Sequence, residues 1–347
     1  MTEQTMQAVV LEQVGGPENL AFQSVAKPVL ADPGHVLVNV KACGVAYRDI
    51  IERRGGHPMM RTPIIQGHEF SGEVVQIGSA VRRWRVGDRV INRYTDSCGA
   101  CDECVGGDER RCVQLTQMYG LVTNGGYAEY CAVHERGLER LYQGISYEEG
   151  ACIMSAVSVA YHNVVNRIAV RPGETVLLTG ASGGVGNAAL QCIKLRGARV
   201  LAVTSSEAKV EKLKALGADE VIVNDGSSIH RAVRAMSPQG VDAAVDCVGS
   251  STLGSVLKSM KRIGRVAVIG TINPEPLKLN LGTLVVNGLT VKGSDGNTRA
   301  AMREAMTLVA DGKITVHIDR TLPLQSAAEA HRLLESRSAM GRIVLVP

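Results

Sequence analysis

The sequence predicts an α/β protein of two domains, a β-rich domain followed by a doubly wound parallel sheet. Residues 1–150 form short β-rich runs that glycine and proline interrupt. From about residue 174 the pattern changes to six apolar strands joined largely by helices. A chain of 347 residues is also long for one core. We expect the β-rich domain over 1–150, the six-stranded sheet over 151–295, and a C-terminal segment, 296–347, that returns to the first domain.

The individual elements follow from local pattern. The strands of the first domain are apolar runs that end in turn residues, as in HVLVNVKACG, SGEVVQIG, GDRVINRY and GGYAEYCAV. Those of the second are ETVLLTG, ARVLAVTSS, ADEVIV, VDAAVDCVG, GRVAVIG and GLTVKG. A helix, GGVGNAALQCIKLRG, follows the first of these and ends at glycine. The segment 296–347 predicts two helices and a last strand, GRIVLVP.

Composition narrows the class of function. The net charge of +4 is spread without long runs of one sign, and aromatic residues make up only 3%, which disfavours nucleic-acid binding. The first residues, MTEQTMQAVV, lack the basic and apolar regions of a signal peptide. No apolar run approaches the roughly 18 residues that span a bilayer. We expect a cytoplasmic protein without a membrane partner, whose nine cysteines are metal ligands or buried apolar residues.

Four cysteines form the densest motif. They are spaced C-x2-C-x2-C-x7-C within a stretch rich in glycine and acidic residues, at Cys98, Cys101, Cys104 and Cys112. Four thiolates make a closed tetrahedral zinc site with no open position for substrate. An iron–sulfur cluster is the alternative, but the seven-residue gap and the missing Cys-Pro disfavour it. The spacing predicts one structural zinc per chain.

A glycine-rich turn joins the first strand of the second domain to its helix. It reads Gly180-Ala-Ser182-Gly183-Gly184-Val185-Gly186, with glycines three apart. Glycine permits the tight turn, and backbone N–H groups at the helix N-terminus favour a pyrophosphate. Within a six-stranded αβ pattern this predicts a dinucleotide site. Gly249 and Gly270, which end two later strands, are assigned to the same site.

The end of the second strand indicates which dinucleotide binds. An acidic residue there would accept a hydrogen bond from the ribose 2′-OH. Instead the sequence has Ser205 and Ser206, and Lys209 follows one turn later. Hydroxyls and a cation suit a 2′-phosphate, so we expect NADP(H). The alternative, that one of the two serines only caps the next helix, is compatible with this role.

Several segments together resemble the medium-chain dehydrogenase/reductase superfamily, which includes zinc-type alcohol dehydrogenases and quinone reductases. The resemblance covers almost the whole chain. It is carried by the cysteine motif and by CGVAYRD (43–49), GHEFSGEVVQIG (67–78), VGDRV (86–90), GGYAEY (125–130), ASGGVG (181–186) and LGAD (216–219). It implies a GroES-like catalytic domain, a Rossmann coenzyme domain, and an active site in the cleft between them.

The resemblance fails at the catalytic metal. Zinc alcohol dehydrogenases of this superfamily hold a second zinc by a cysteine in a GVCHTD-like motif, the histidine of GHE and a cysteine before an apolar helix. Here His68 and Glu69 of GHE are present, but Ala46 and Ser155 occupy the two cysteine places. A neutral serine hydroxyl is a poor zinc ligand.

Two nearby cysteines offer an alternative. Cys43 and Cys152 each lie three residues before a lost ligand, and a helix over the 150s would place Cys152 on the face of Ser155. Buried inert cysteines are also common. Without a metal, His68 is expected to be a structural residue hydrogen-bonded to Asp49, as the resemblance implies.

Reduction of a C=C bond conjugated to a carbonyl can proceed without a Lewis acid, if hydrogen-bond donors stabilise the enolate. Tyr47, Arg48 and Asp49 resemble the aromatic-Arg-Asp motif of enoyl reductases in polyketide synthases. The N-terminal stretch up to GHE and the segment IGTINPEPLKLNLGTLVVNGLTVKG also resemble archaeal acryloyl-CoA reductases, which retain cysteine at the places of Ala46 and Ser155. His57 stands where enoyl reductases often have a proton-donating tyrosine. The alternatives are an exposed loop histidine at 57 and a surface arginine at 48.

We therefore predict an NADPH-dependent oxidoreductase that transfers hydride to an activated C=C bond of a small molecule. The catalytic candidates are Tyr47, Arg48, His57, Asp49 and His68. A zinc alcohol dehydrogenase and a non-catalytic NADPH-binding protein are the alternatives.

The strand GLTVKG (288–293) is expected to lie at one edge of the parallel sheet. An unpaired apolar edge promotes aggregation unless it is covered, and closed symmetric pairing covers it. The resemblance also implies pairing at this edge, so we expect a homodimer or a homotetramer. Light scattering at micromolar concentration tests this, and a monomer would contradict it.

Overall fold

The computed structural model describes residues 4–115, 117–224, 228–272 and 275–347. The strands, in chain order, are β1 (Thr5–Leu11), β2 (Leu20–Ala26), β3 (His35–Val45), β4 (Ile64–Ile65), β5 (Glu69–Ile77), β6 (Arg89–Asn92), β7 (Thr95–Asp96), β8 (Gln117–Met118), β9 (Tyr130–His134), β10 (Leu138–Arg140), β11 (Thr175–Thr179), β12 (Arg199–Thr204), β13 (Glu220–Val223), β14 (Val241–Asp246), β15 (Met260–Val268), β16 (Thr290–Gly293), β17 (Ile318–Pro323) and β18 (Arg342–Val346). The α-helices are α1 (Tyr47–Arg53), α2 (Asp102–Val105), α3 (Tyr147–Gly150), α4 (Ser158–Tyr161), α5 (Gly184–Leu195), α6 (Val210–Ala215), α7 (Ile229–Met236), α8 (Ser250–Ser259), α9 (Leu281–Asn287), α10 (Arg299–Ala310) and α11 (Ala327–Glu335).

Contacts divide the chain into two compact units. Unit 1 contains Met1–Ser155 and Met302–Pro347, and unit 2 contains Ala156–Ala301. The C-terminal strand β18 joins unit 1 by pairing antiparallel with β3, where Ile343 lies opposite Val45 and Leu345 opposite Cys43. The last strand of the chain is therefore part of the same sheet as the strand that leads into α1.

Unit 1 is a β-rich body of the GroES-like type. Its main sheet has the order β10-β6-β5-β3-β18-β17, and β9 pairs with β3 beside that path. A smaller sheet, β2-β1-β4, packs its apolar face into the same core, which includes Leu11, Val38, Phe70 and Tyr127. After buried Leu20, half-buried and exposed residues alternate along β2, as in a strand with one solvated face.

Unit 2 is a Rossmann fold. Its six strands are all parallel, in the order β13-β12-β11-β14-β15-β16, so the chain starts in the middle of the sheet and moves outward on both sides. Strands β11, β12 and β14 are almost wholly buried, as parallel strands covered on both faces should be. This confirms the predicted fold class. The point where the strand order reverses, between β11 and β14, is where such sheets bind ligands.

Strand β16 forms one edge of this sheet, as the sequence predicts. Beside it, α9 exposes apolar side chains, with Leu281 67%, Val285 79% and Val286 72% exposed. The dimer or tetramer remains a prediction.

Two π-helical turns flank the short helix α4. They cover Ile153–Val157 and His162–Arg167, so the π turn that contains Ser155 begins directly after Cys152. π turns are rare and occur often at functional sites. Among the described residues, no helix has the length and apolar character needed to cross a lipid bilayer.

Candidate active site

A buried carboxylate anchors the first turn of α1. The Oδ2 atom of Asp49 accepts a hydrogen bond from the backbone N–H of Ala46 at 2.8 Å, and Oδ1 lies 2.7 Å from Nδ1 of His68. Burial lowers the pKa of His68, but the charge of Asp49 and its hydrogen bond outweigh burial, and the net shift is upward. Burial raises the pKa of Asp49, and His68 together with the Ala46 N–H more than reverses that effect. The pair therefore favours an imidazolium facing a carboxylate.

A chain of buried hydrogen-bonded side chains connects Asp49 to Arg53. The hydroxyl of Tyr127 donates to Oδ2 of Asp49 at 3.4 Å and lies 3.2 Å from Nε2 of His331. Arg53 donates from Nε to Nδ1 of His331 at 3.2 Å. Because a guanidinium only donates, Nδ1 of His331 must accept, and burial lowers the pKa of His331 to about 4. A neutral His331 with its hydrogen on Nε2 therefore links Arg53 to Tyr127.

The guanidinium of Arg48 lies between Glu52 and Tyr94. Its Nε donates to Oε1 of Glu52 at 2.6 Å, its Nη2 donates to the hydroxyl of Tyr94, and its Cζ lies 3.8 Å from the centre of the Tyr94 ring. Glu52 is only 1% exposed, so its carboxylate cannot follow the arginine into solvent. The ring of Tyr94 also meets that of His68 edge to face, with ring centres 5.8 Å apart.

The other two sequence-predicted catalytic residues lie at the margin of this group. Tyr47 is half-buried at the first position of α1, and its side chain has no hydrogen bond to the other four within the described residues. His57 is half-buried in the following loop, where its Nδ1 accepts from the backbone N–H of Met59 at 3.2 Å. Burial, and then the charge of Arg48, lowers the pKa of His57. A lowered pKa reduces the fraction of imidazolium present at neutral pH, so less of His57 is in the form that could donate a proton.

The carboxylate of Glu69, which is wholly buried, is paired with an arginine from β18. Its Oε1 lies 3.2 Å from Nε of Arg342, and its Oε2 accepts from the hydroxyl of Ser155. Arg342 in turn donates from Nη2 to the Ser155 hydroxyl at 2.7 Å. The three side chains form a closed triangle, and the guanidinium of Arg342, 7% exposed, supplies the counter-charge for Glu69.

The two cysteines near this triangle in the sequence, Cys43 and Cys152, are buried thiols. The thiol of Cys43 donates to the backbone carbonyl of Glu69 at 3.1 Å, and both Cys43 and Cys152 are completely buried. Burial raises the pKa of both thiols. Within the described residues, neither of them joins His68 and Glu69 in a group of three possible metal-binding atoms lying within 4.8 Å of one another.

The cysteine motif forms a separate lobe around α2. The Sγ atoms of its four cysteines all lie within 4.8 Å of one another, and the Sγ atoms of Cys98 and Cys104 are 3.9 Å apart. A tetrahedral site with zinc–sulfur bonds of about 2.3 Å has sulfur–sulfur edges of about 3.8 Å. Backbone N–H groups point at the sulfurs, those of Ala100 and Cys101 at Cys98 and that of Gln114 at Cys112, at 3.3–3.4 Å. Such donors stabilise thiolates, so the residues present fit a zinc ion.

In unit 2, the glycine-rich turn lies between β11 and α5. Gly180 has a φ of +60°, which favours glycine, and Gly183 precedes the first residue of the helix. A Cβ on Gly186 would lie 2.1 Å from the carbonyl oxygen of Gly180, so only glycine fits there. Ser182 is a half-buried residue of the turn, and Gly184 and Val185 begin α5.

The strands beside this turn also end in glycines that approach one another. A Cβ on Gly249, whose φ is +101°, would lie 2.5 Å from the carbonyl oxygen of Gly270. One on Gly270 would lie 2.0 Å from the carbonyl oxygen of Cys247. Buried Asp246 ends β14, and its Oδ1 accepts from the hydroxyl of Thr252 at 2.7 Å and from the N–H of Gly249 at 3.2 Å. The predicted dinucleotide residues therefore gather at the carboxyl ends of β11, β14 and β15.

The end of β12 carries no acidic side chain. Ser205 is exposed, and Ser206 is half-buried before a 3-10 turn at Glu207–Lys209. The side chain of Ser206 accepts no capping hydrogen bond from that turn, so helix capping does not account for its hydroxyl. Lys209 closes the turn and is 8% exposed.

Residues 32–143 match the alcohol dehydrogenase GroES-like domain, and residues 184–311 match the zinc-binding dehydrogenase domain. An acryloyl-coenzyme A reductase of Metallosphaera sedula is 33% identical over 343 residues, covering 98% of this chain and 99% of the relative. The chain belongs to the medium-chain dehydrogenase/reductase superfamily.

Two further proteins are similar to this chain over almost its whole length. An alcohol dehydrogenase of Geobacillus stearothermophilus is also 33% identical over 343 residues, covering 98% of this chain and 99% of the relative. The crystal structure of AibC is 42% identical, with a TM-score of 0.90, and the match covers 100% of this chain and 97% of AibC. As a member of this superfamily, the chain is an oxidoreductase. Sequence identity to the acryloyl-coenzyme A reductase equals that to the alcohol dehydrogenase, so it does not distinguish these two reactions.

The superfamily implies a catalytic zinc in many members, but the residues present here do not fit one. Ala46 has no ligand atom, and the hydroxyl of Ser155 is hydrogen-bonded to Glu69 and Arg342. The guanidinium of Arg342 already neutralises the carboxylate of Glu69, which would otherwise be available as a zinc ligand. A zinc ion needs three or four good ligands, and His68 with Glu69 supplies two.

The sequence analysis missed two residues of this site. Arg342 lies 187 residues from its partner Ser155, in a strand whose only sequence signal is its apolar pattern. Tyr94 ends the predicted strand GDRVINRY, and a tyrosine at a strand end has no distinguishing spacing. Pairing of β18 with β3 is what brings Arg342 to Glu69.

Removal of Arg342 tests how much of the protein's stability depends on the ion pair that Arg342 makes with buried Glu69. In Arg342→Met we expect the free energy of unfolding to fall by about 3–5 kcal/mol, because a buried carboxylate is left without its counter-charge. The double variant Glu69→Gln with Arg342→Met should recover most of that loss. Urea unfolding followed by circular dichroism measures both.

A matched control is Arg320→Met, since the pair of Arg320 with Asp319 is partly exposed, with the arginine side chain 46% exposed. That change should cost no more than about 1 kcal/mol. Equal losses in Arg342→Met and Arg320→Met would show that Glu69 does not need the buried cation.

Proposed function

We propose that the protein is an NADPH-dependent reductase of an activated C=C bond that works without a catalytic metal. The observation that carries this proposal is the triangle of Glu69, Ser155 and Arg342. It includes Glu69 and Ser155, two positions that the resemblance assigns to the catalytic metal of zinc alcohol dehydrogenases, and the ion pair with Arg342 compensates the charge of Glu69. Ala46 removes a further ligand at the start of α1.

The chemistry follows from what such a site can stabilise. Alcohol oxidation passes through an alkoxide, which needs a Lewis acid or an equivalent charge beside its oxygen. Hydride addition to the β-carbon of an enone or enoyl thioester instead gives an enolate, whose charge is delocalised and can be held by hydrogen-bond donors. A metal-free site therefore favours conjugate reduction, with an enoyl thioester, an enone or a quinone as the substrate.

The coenzyme preference rests on the end of β12. Ser205, Ser206 and Lys209 replace the acidic residue that would bind a ribose 2′-OH, and no capping bond uses the hydroxyl of Ser206. A 2′-phosphate accepts hydrogen bonds from hydroxyls and is attracted by a lysine. The glycine turn of unit 2 would hold the pyrophosphate at the N-terminus of α5.

An alcohol dehydrogenase is the second candidate. It is favoured by the 33% identity to the Geobacillus stearothermophilus enzyme, which equals that to the acryloyl-coenzyme A reductase. The two candidates differ in metal content and in substrate, so they can be separated by experiment.

The purified protein should oxidise NADPH in the presence of at least one enone, enoyl-CoA or quinone, followed at 340 nm. NADPH should bind more tightly than NADH in fluorescence titrations. Lys209→Ala should narrow that difference in affinity by about tenfold or more, because loss of one charge-assisted contact costs about 1.5–3 kcal/mol.

Lys212→Ala is the control for this change, since Lys212 is an exposed lysine of α6. It should leave the ratio of the two dissociation constants unchanged. Equal affinities of the unaltered protein for both coenzymes would refute the assignment. Turnover of alcohols with NAD(P)⁺, and none of the unsaturated carbonyl compounds, would favour the second candidate.

We also propose that the cysteine lobe holds one structural zinc. Four sulfurs within 4.8 Å of one another, with N–H donors around them, would complete a tetrahedral site and leave no position open for substrate. When bound, the ion would hold the segment from Cys98 to Cys112 together and take no part in the reaction.

Elemental analysis should return about one zinc per chain. Cys104→Ser should lose that zinc and unfold at a lower temperature, because metal binding to the lobe contributes folding free energy. Cys247→Ser, at a cysteine outside the lobe, should keep it. Two zinc ions per unaltered chain would contradict the metal-free proposal.

A further inference from the structure

The hydrogen bond between Arg48 and Tyr94 has only one possible direction. A guanidinium has five N–H donors and no acceptor, so Nη2 of Arg48 donates and the hydroxyl oxygen of Tyr94 accepts. The hydroxyl hydrogen of Tyr94 is therefore not used in this bond. Among the described residues, the hydroxyl of Tyr94 has no acceptor within hydrogen-bonding distance.

Donation from a cation makes this hydroxyl a stronger donor. A hydroxyl that accepts a hydrogen bond is polarised, so its own hydrogen binds the next acceptor more tightly. Arg48 is itself charged and lies over the ring, with Cζ 3.8 Å from the ring centre. Burial, partly opposed by Arg48, raises the pKa of Tyr94, so the hydroxyl stays protonated through the neutral range.

The arrangement is rigid because each member is anchored. Glu52, 1% exposed, holds Nε of Arg48 at 2.6 Å, one helical turn further along α1. The start of α1 is fixed in turn by Asp49 through the N–H of Ala46. Donors that are already in place when charge develops stabilise a transition state without reorganisation.

The position of this donor fits a substrate carbonyl. Tyr94 is half-buried, so part of it remains accessible, and its ring borders His68 with ring centres 5.8 Å apart. It therefore lies beside His68, which the resemblance assigns to the catalytic metal of zinc-dependent relatives, while this chain has Ala46 and Ser155 in place of two of the ligands.

We propose that Tyr94 is a catalytic residue whose hydroxyl donates a hydrogen bond to the carbonyl oxygen of the substrate, with Arg48 and Glu52 as its positioning residues. This inference rests on the proposed function and names the group that replaces the Lewis acid.

The reaction consists of hydride transfer followed by protonation. Hydride from the reduced nicotinamide forms a C–H bond at the β-carbon, the C=C π bond breaks, and its electron pair becomes the enolate with charge on oxygen. Tyr94 donates a hydrogen bond to that oxygen and keeps its proton. A proton from water then forms the C–H bond at the α-carbon and restores the carbonyl. The substrate gains two electrons and the nicotinamide loses two.

Two substrates that differ only in the activating group test the role. In 4-phenyl-3-buten-2-one the charge develops on a ketone oxygen that needs a donor, whereas in β-nitrostyrene the nitro group stabilises the anion by itself. Tyr94→Phe removes the hydroxyl and keeps the ring. We expect kcat for the ketone to fall about 100-fold, as when one oxyanion donor is lost, with a fall of less than about threefold for the nitro compound.

Arg48→Met should lower kcat for the ketone less than Tyr94→Phe does, and should again spare the nitro compound. Tyr130→Phe removes a tyrosine hydroxyl from β9 of the same unit and should change neither rate. Melting temperature and NADPH affinity of each variant show whether it is folded. A merely structural role of Tyr94 would lower both rates together.

Retention of more than a third of the ketone kcat in folded Tyr94→Phe would overturn the inference and leave the reductase proposal standing. A greater loss in Arg48→Met than in Tyr94→Phe would assign the donor to Arg48 and overturn it as well. If the unaltered protein reduces no unsaturated carbonyl compound, both proposals fail.

Discussion

The carboxylate of Asp49 is the group on which the arrangement of the candidate site depends. It is wholly buried, yet it accepts from the N–H of Ala46, from His68 and from Tyr127. The hydrogen bond from Ala46 fixes the first residue of α1. It thereby fixes the backbone of Arg48, which directly precedes Asp49. The others fix the ring of His68 and connect the site to the C-terminal helix through His331. A buried charge of this kind is tolerated only because every contact is made, so few substitutions are possible around it.

Charge compensation at the candidate site is local. Asp49 is paired with His68, Glu52 with Arg48 and Glu69 with Arg342, so each of these three buried carboxylates has one cation within hydrogen-bonding or ion-pair distance. The pairs are contributed by three distant parts of the chain. Because β18 pairs with β3, an arginine near the C-terminus reaches a glutamate at the start of β5. The sheet pairing of the C-terminal segment thus has an electrostatic consequence at the site as well as a structural one.

The sequence was sufficient for the parallel sheet, because long apolar strands and the glycine turn between Gly180 and Gly186 are local signals that the structure confirms. It was also sufficient to place Asp49 beside His68, through the resemblance. It was not sufficient for Tyr94 or Arg342, since each acquires its meaning from a partner distant in sequence. The roles of Tyr47 and His57 stay predictions. The hydroxyl of Tyr94 differs from those of other tyrosines in accepting a hydrogen bond from an arginine. That contact forms only in the folded chain, so a residue pattern does not predict it.

Electrostatics also opposes binding of a zinc ion beside Glu69. A zinc ion beside Glu69 would place two positive charges near the guanidinium of Arg342, which is 7% exposed and cannot move far into solvent. It would also face the imidazolium that Asp49 favours at His68. Binding would therefore require displacement of Arg342, deprotonation of His68 and new thiolates at positions 46 and 155 together. The ion pair of Glu69 with Arg342 would stabilise a metal-free site, and a hydrogen-bond donor such as Tyr94 is the kind of electrophile that such a site can offer.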